Sequence, residues 1–269
     1  MKTEAQPVFH PTLGASIPEA GWVPAPRYLL RRSRVIHYMK SLNPNRFLDI
    51  GCGPGALLAD AARLGIQAEG FEMAESARRL GARILEGLDI PIHDGPSQQW
   101  AGLFDLVGAF EVLEHIEDDQ HALNEWREWV APGKHLMLSV PAHPSRFNAA
   151  DVWAGHYRRY TRKRLETLFQ EAGFKIEALE CYGFPLATIL EWPRAWVYGR
   201  QLRKANANPE SGSAERTAQS GTNRSVDSRF WPFLASPLGT AMIQLFAWLQ
   251  KPFMKTALGN GYLVVARKI

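Results

Sequence analysis

Three glycines at alternate positions, Gly51, Gly53 and Gly55, follow the apolar run FLDI, which carries Asp49. Glycines between a strand and a helix let the backbone approach a ligand, and the free amides of the helix start favour an anionic group. About twenty residues on, Glu72 ends a second strand-like run, IQAEGFE, where a carboxylate can accept both hydroxyl hydrogens of a ribose. Gly51, Gly53 and Ala56 also satisfy the G-x-G-x-x-A dinucleotide fingerprint, so a nicotinamide or flavin cofactor has to be weighed here. A tight strand-to-helix turn with no ligand is the bland alternative.

A base is offered by EVLEHIEDD. His115 follows Glu111 by four residues and Glu114 by one, so a carboxylate can orient the imidazole if the turn is helical. The competing role is structural, with Glu111 and His115 capping and bracing the turn. His143, in VPAHP, reads as a loop residue. In DVWAGHYRRYTRKRL, five cations (Arg158, Arg159, Arg162, Lys163, Arg164) surround a helix start with Thr161 as N-cap. Cations there oppose the helix dipole. Three kinds of anion can answer them: a substrate carboxylate or phosphate, an acidic membrane surface, or a protein carboxylate. A solvated basic face over packed tyrosines accounts for the same residues. Nucleic acid is disfavoured, since the net charge is only +4 and no separate RNA-binding module is visible.

The elements that position these groups alternate. A helix is expected over 28–40, a strand at 46–50, a helix through LLADAARLG and a strand in IQAEGFE. A helix in SARRLGARIL, a short IPIHDG segment and the apolar strand LFDLVGAFEV follow. DDQHALNEWREWV reads as a helix with Asp118 as N-cap, HLMLSVPA as a buried strand, RKRLETLFQEAGF as a helix ended by Gly173, and KIEALECYGF as a strand. Strands alternating with helices of this length imply an α/β fold with a parallel sheet covered on both faces. The chain of 269 residues is 46% hydrophobic, enough to bury one large core. Cys52 and Cys181 form neither a metal-ligand spacing nor a disulfide framework, and the N-terminal residues hold no signal-like apolar run. A cytoplasmic location, with or without peripheral contact to the inner face of a membrane, is the expectation.

Between 185 and 258 the alternation stops. Two Trp-rich apolar flanks bracket a polar stretch at about 204–229 that reads as a flexible loop. Phe230 to Gln250 carries no charge and is long enough for a membrane span, but Pro232, Pro237, Gly239 and Gln244 interrupt it. Two apolar helices, about 186–199 and 236–250, are expected instead, as a lid that dips into a membrane interface (230–254) or as core. NGYLVVARKI then rejoins the sheet.

D49-x-G51-x-G53-x-G55, GFE at 70–72, FDLVGAFEVLEHIEDD at 104–119 and APGKHLMLSVP at 131–141, in this order, resemble class I S-adenosylmethionine-dependent methyltransferases, most closely the type 11 small-molecule group. The resemblance covers about 45–184 and the final strand. It implies a Rossmann-like, seven-stranded, mostly parallel sheet with a C-terminal helical insert before the last strand. The implied parts are an N-terminal helical cap (1–44), a cofactor-binding core (45–184), the insert (185–258) and the final strand (259–269). By the same resemblance S-adenosylmethionine is the cofactor. Asp49, Gly51, Gly53 and Gly55 surround its methionine part, Glu72 binds the ribose, Asp94 lies near the adenine, and Ala109 and Phe110 line the site. Methyl transfer to a hydroxyl, less readily an amine, of a small or lipophilic acceptor is the implied reaction, and the cationic cluster beside an apolar lid suggests an acidic group on that acceptor. The reaction needs a placed nucleophile and a base but no metal. His115 and His156 are the candidate bases. Tyr28, Glu114, Tyr157, Arg159 and Tyr160 are the candidates on the substrate side, and GHYRRYT resembles a segment that leads there in the family. An NAD-dependent oxidoreductase and a catalytically idle cofactor-binding protein are the alternatives.

Overall fold

The computed structural model describes residues 6–206 and 225–269. A small hairpin, β1 (Val8–His10) and β2 (Gly14–Ser16), precedes α1 (Pro26–Leu42). The core then runs β3 (Arg46–Ile50), α2 (Ala56–Arg63), β4 (Gln67–Phe71), α3 (Glu75–Ile84), β5 (Ile92–His93), β6 (Phe104–Phe110), α4 (Asp119–Trp129) and β7 (Val130–Pro141). After it come α5 (Ala149–Ala154), α6 (Arg162–Glu171), β8 (Phe174–Tyr182), α7 (Leu186–Asn206), α8 (Ser225–Leu234), α9 (Pro237–Leu249) and β9 (Gly261–Lys268).

Seven strands form one sheet in the order β5-β4-β3-β6-β7-β9-β8. β5, β4, β3, β6 and β7 pair in parallel, while β9 runs antiparallel to both β7 and β8. Period-two alternation sorts the strand side chains onto two faces. Leu48, Val107, Leu138 and Val264 pack with Leu123 and Trp126 of α4 and Leu165 and Phe169 of α6. Their neighbours Phe47, Leu106, Met137 and Leu263 pack with Val35 and Met39 of α1 and Leu58 of α2. Both faces are therefore covered, which a parallel sheet requires.

Helix starts follow local chemistry. The Asp118 carboxylate accepts from the His121 amide and the Thr161 hydroxyl from the Arg164 amide, so each side chain satisfies an orphan donor at its helix start. The hairpin is fastened to the core by Arg32. Its guanidinium grips both oxygens of Asp60 at 2.6 Å and donates to the Thr12 carbonyl at 2.9 Å. The N-terminal cap is thus a hairpin plus a helix, where a helix alone was expected.

In the insert, helical residues reach into both ends of the segment expected as a loop, at 204–206 and 225–229. The rest of that segment, 207–224, lies outside the described residues. No single described helix is long and apolar enough to cross a membrane. Ser228–Leu234 and Pro237–Phe253 pass that test only as a pair, bent by 92°.

β3 pairs with β4 on one side and β6 on the other, so connections leave the carboxyl edge in opposite directions there. Such a reversal opens a crevice for a ligand. The glycine turn, Glu72, Glu111 and His143 all follow strands at this edge, and the insert closes over it.

Candidate active site

A single cavity of about 1930 Å³ occupies the crevice. Its floor is the turn after β3. Gly51, Gly53 and Gly55 all have positive φ, and a Cβ on Gly51 would lie 2.6 Å from Val112. A Cβ on Gly53 would meet nothing within 4 Å, because that side of the turn faces the open cavity. Glu72 bends back onto the turn, accepting from the Gly53 amide at 2.9 Å and the Ala74 amide at 2.7 Å. Each oxygen keeps a further lone pair, so the carboxylate is fixed in place and still able to accept from a ligand. Asp49 is buried beside it. Burial pushes its carboxyl up to about 8, with Arg31 working against the rise and Glu72 adding to it. A buried carboxyl with so high an affinity for its proton is suited to meet a positively charged ligand group. An exposed glycine cradle, a fixed ribose acceptor and a buried acid together fit a nucleoside bearing an amino acid, as in S-adenosylmethionine.

The chemistry at the other end of the cavity differs from the expected pairing. Glu111 has φ 62°, in the left-handed region, and its side chain is taken up by groups other than His115. It meets Arg27 Nη2 at 2.7 Å and accepts from the Ser139 hydroxyl at 3.1 Å and the Tyr182 hydroxyl at 2.9 Å. Burial would raise its carboxyl, but Arg27, Arg31 and the Tyr182 hydroxyl outweigh that and hold it at about 2. The turn at 113–115 is a single 3-10 turn, so the helical spacing that would have joined Glu111 to His115 is absent.

His115 instead meets His156, edge to face with ring centroids 4.7 Å apart. Two bonds hold the segments together: the Tyr157 amide donates to the Glu114 carbonyl at 2.8 Å, and the Tyr160 hydroxyl to the Leu113 carbonyl at 3.3 Å. Burial and the neighbouring His156 pull the His115 imidazole down to about 4. His156 is oriented by Asp151, with Nδ1 2.9 Å from Oδ1. Asp151 is held in turn by Arg159, which donates from Nε and Nη2 at 2.7–3.0 Å, and by the Asn148 amide at 2.8 Å. Burial works to raise Asp151, yet the His156 and Arg159 hydrogen bonds bring it to about 2. It is therefore a permanent anion.

Glu114 lies behind this pair, fully buried. Burial first, then the charge on Glu111, push its carboxyl well above the usual range, and neither side-chain oxygen has a hydrogen-bond partner. One ligand atom each from Glu114, His115 and His156 lie within 4.8 Å of one another. Although no metal was expected, carboxylate and imidazole donors in this arrangement are able to hold a first-row divalent cation.

Among the predicted residues, Tyr28, Asp49, Gly51, Gly53, Glu72, Asp94, Phe110, His115, His156, Tyr157 and Arg159 line the cavity. Gly55, Ala109, Glu114 and Tyr160 do not. Gly55 is the N-cap of α2 and faces Leu85, while Ala109 points into the core. Glu114 sits beneath the histidines. Tyr160 is buried with its hydroxyl on Leu113, so it supports the site from the core instead of facing substrate.

Four of the five cations are answered by protein groups. Arg158 and Arg164 pair with Asp119, Arg159 with Asp151 and Glu191, and Arg162 donates to the Leu179 carbonyl. Sequence reasoning missed Asp151, Glu191 and Arg27. The signal for Asp151 was the Asn148-x-x-Asp151 capping box at the start of α5, with histidine five residues on.

Residues 26–179, more than half of the chain, match the methyltransferase domain family. The chain is 29% identical over 143 residues to a ubiquinone biosynthesis O-methyltransferase of Acinetobacter baylyi, covering 50% of this chain and 60% of that one. It is 30% identical over 129 residues to the protein of the same name in Bordetella avium, covering 44% and 52%. The matched stretch thus spans about half the length of these curated relatives. Among solved structures, a putative sarcosine dimethylglycine methyltransferase of Galdieria sulphuraria superposes with TM-score 0.56 at 12% identity, over 90% of this chain and 85% of that one. Phosphoethanolamine N-methyltransferase 2 of Haemonchus contortus, solved with S-adenosyl-L-methionine, superposes at 0.51 and 16% identity, over 88% and 52%. These two likenesses speak to the fold. The chain belongs to the methyltransferase domain family.

Proposed function

We propose that the enzyme methylates a hydroxyl, less readily an amine, of a lipophilic acceptor with an acidic group. The observation that carries this reading is the Asp151–His156 pair, whose imidazole lines the same cavity as the glycine turn and Glu72. With Nδ1–H donating to Asp151, Nε2 is left as an acceptor, 3.8 Å from the buried Glu114 carboxyl in a ring that lines the cavity, the tautomer needed to take a hydroxyl proton. Arg159 and the Asn148 amide fix Asp151, so the imidazole is held in one orientation before the acceptor arrives. Glu72 takes the ribose hydroxyls, Asp49 the ammonium of the methionine part, and the amides after the glycine turn its carboxylate. The bound cofactor supplies an electrophilic methyl on sulfur, and the chain must hold the nucleophile in line with it and keep water out.

Two features support the acceptor class. The cavity exceeds the usual 300–1,000 Å³ of a drug-sized site, roughly, and its outer wall is Leu186, Leu190, Phe230, Phe233 and Met242. Arg27 lines the same space and has a buried Nε with no hydrogen-bond partner, ready for an acidic group. The O-methyltransferase names of the relatives favour oxygen as the accepting atom.

The test is calorimetric titration with S-adenosylhomocysteine and NAD, followed by labelled methyl transfer to hydroxylated and aminated aromatic lipids. Binding of the first ligand alone, and labelling of the hydroxylated set that His156→Ala abolishes, is the expected result. Labelling that survives in His156→Ala refutes the base assignment.

A second reading of the cluster is favoured by the unpartnered Glu114 oxygens: a divalent cation on Glu114, His115 and His156 that binds the acceptor oxygen and lowers its proton affinity. Chelator-treated protein restored only by added manganese or zinc selects this reading, and full activity after chelation rejects it.

A further inference from the structure

The outer face of the insert is apolar where solvent-facing helices are usually polar. On α7, Ile189, Trp192 and Trp196 recur at helical spacing and point outward, the two tryptophans 84% and 58% exposed. On α9, Leu238, Leu245 and Trp248 do the same. Between them, Leu190 of α7 and Phe230 and Phe233 of α8 are exposed and also line the cavity, so the mouth itself has an apolar rim.

Among the side chains described on this face, the unpaired charge has one sign. From Leu186 to Arg203 the sole acid is Glu191, which is committed to Arg159, and from Ser228 to Asn260 the sequence contains no Asp or Glu. Arg194, Arg200, Arg203, Arg229, Lys251 and Lys255 are all exposed. Arg200 lies over the Trp196 ring at 3.7 Å, its charge held at the level of the apolar surface. Tryptophan bodies flanked by cations suit the boundary between headgroups and acyl chains.

We propose that α7, α8 and α9 form a docking surface for an anionic lipid bilayer, through which the acceptor passes from the membrane into the cavity. This inference rests on the reading of the acceptor as lipophilic. A protein partner would need carboxylates aligned with every cation, whereas an anionic headgroup layer supplies them at any position, and continuity between the apolar rim and the cavity gives lipid contact a purpose. The α8–α9 pair is bent by 92° at its break, and on this proposal its two short apolar helices lie along the interface.

The experiment is co-sedimentation of the full chain with vesicles of phosphatidylcholine, with and without phosphatidylglycerol, for wild type and the double variant Trp192→Ser/Trp196→Ser. Neither tryptophan lines the cavity. The expected result is binding to phosphatidylglycerol vesicles that weakens with salt and falls about tenfold or more in the double variant. Absence of wild-type binding, or equal binding by the variant, overturns the proposal. So does a wild-type dimer that the variant converts to monomer without vesicle binding by either, which would make the face an interface between copies. S-adenosylhomocysteine titration runs in parallel. Intact cofactor binding with failed vesicle binding rejects the docking surface alone, while failed cofactor binding rejects the cavity assignment whatever the vesicles show.

Discussion

Binding of the cofactor should expel a proton from Asp49. Burial places this carboxyl at about 8, against an ordinary value of 3.8. At pH 7 about nine-tenths of the ligand-free protein therefore carries the proton. The ammonium of a bound methionine moiety favours the ionised form, so binding at pH 7 should release about one proton, about half a proton at pH 8, and almost none a unit or more higher. Affinity should accordingly rise close to tenfold per pH unit up to about pH 8 and then level off. The stability of the ligand-free fold runs the other way. Its pKa is raised on folding, so the contribution is full below pH 4, roughly, and is lost as pH rises through about 8. The rise corresponds, at about 1.36 kcal/mol per pH unit, to roughly 6 kcal/mol, which water in the open cavity reduces to about 2–3 kcal/mol. Calorimetry with S-adenosylhomocysteine in buffers of different ionisation enthalpy counts the proton, and Asp49→Asn is the control. No release by wild type at pH 7, or equal release by Asp49→Asn, would refute the reasoning.

Glu72→Gln should weaken S-adenosylhomocysteine by about 1.5–3 kcal/mol, because one charge-assisted acceptor becomes a donor, while the melting temperature moves little. Calorimetry and thermal unfolding separate the two effects. Asp151→Asn should lower kcat by about 10²–10⁴ and leave S-adenosylhomocysteine affinity unchanged, since His156 loses the acceptor that sets its tautomer. A fall in cofactor affinity instead would mark Asp151 as part of the cofactor site. Asp60→Ala strands the Arg32 guanidinium in the core and should cost about 3–5 kcal/mol in urea unfolding, well beyond an exposed pair such as Arg79–Glu75.

The sheet was legible because strand and helix periods are written in the apolar residues themselves. FLDI, LFDLVGAF and YLVVA are buried on both faces, and Asp118 and Thr161 announced their helices by cap chemistry. The hairpin at 8–16 was not, since its strands are three residues long and long-range contacts hold it in place: Arg32 donating to the Thr12 carbonyl, Ala15 buried in the core and Arg63 over the Phe9 ring. The glycine turn, Asp49 and Glu72 could be read because a strand end fixes their direction. The base region could not. Helical spacing joined His115 to Glu111, but Glu111 has a positive φ and its side chain pairs with Arg27, 84 positions earlier in sequence terms (111 − 27). Asp151 and His156 lay within one quoted segment, yet only the capping geometry of α5 brings the carboxylate onto the ring. Tyr160 was placed on the substrate side by the resemblance of GHYRRYT to a family segment, and burial with its hydroxyl on the Leu113 carbonyl removed it.

The insert leaves the sheet after Tyr182 and returns at Asn260, where the Asn260 amide donates to the Tyr182 carbonyl at 3.0 Å. Gly259 makes so narrow a neck possible, since a Cβ there would stand 2.3 Å from that same carbonyl oxygen. Strands β8 and β9 are therefore joined at the neck whatever the length of chain between them. Polar ties from the insert to the rest gather at a handful of its residues: Glu191 to Arg159, Gln244 to Thr12, Gln250 to Leu30 and Ser33, and the Met254 and Gly259 carbonyls to Cys181, His143 and Arg146. A chimaera joined at this neck would carry the insert, with its part of the cavity wall, onto another core while the turns after β3 and β4 stay in place.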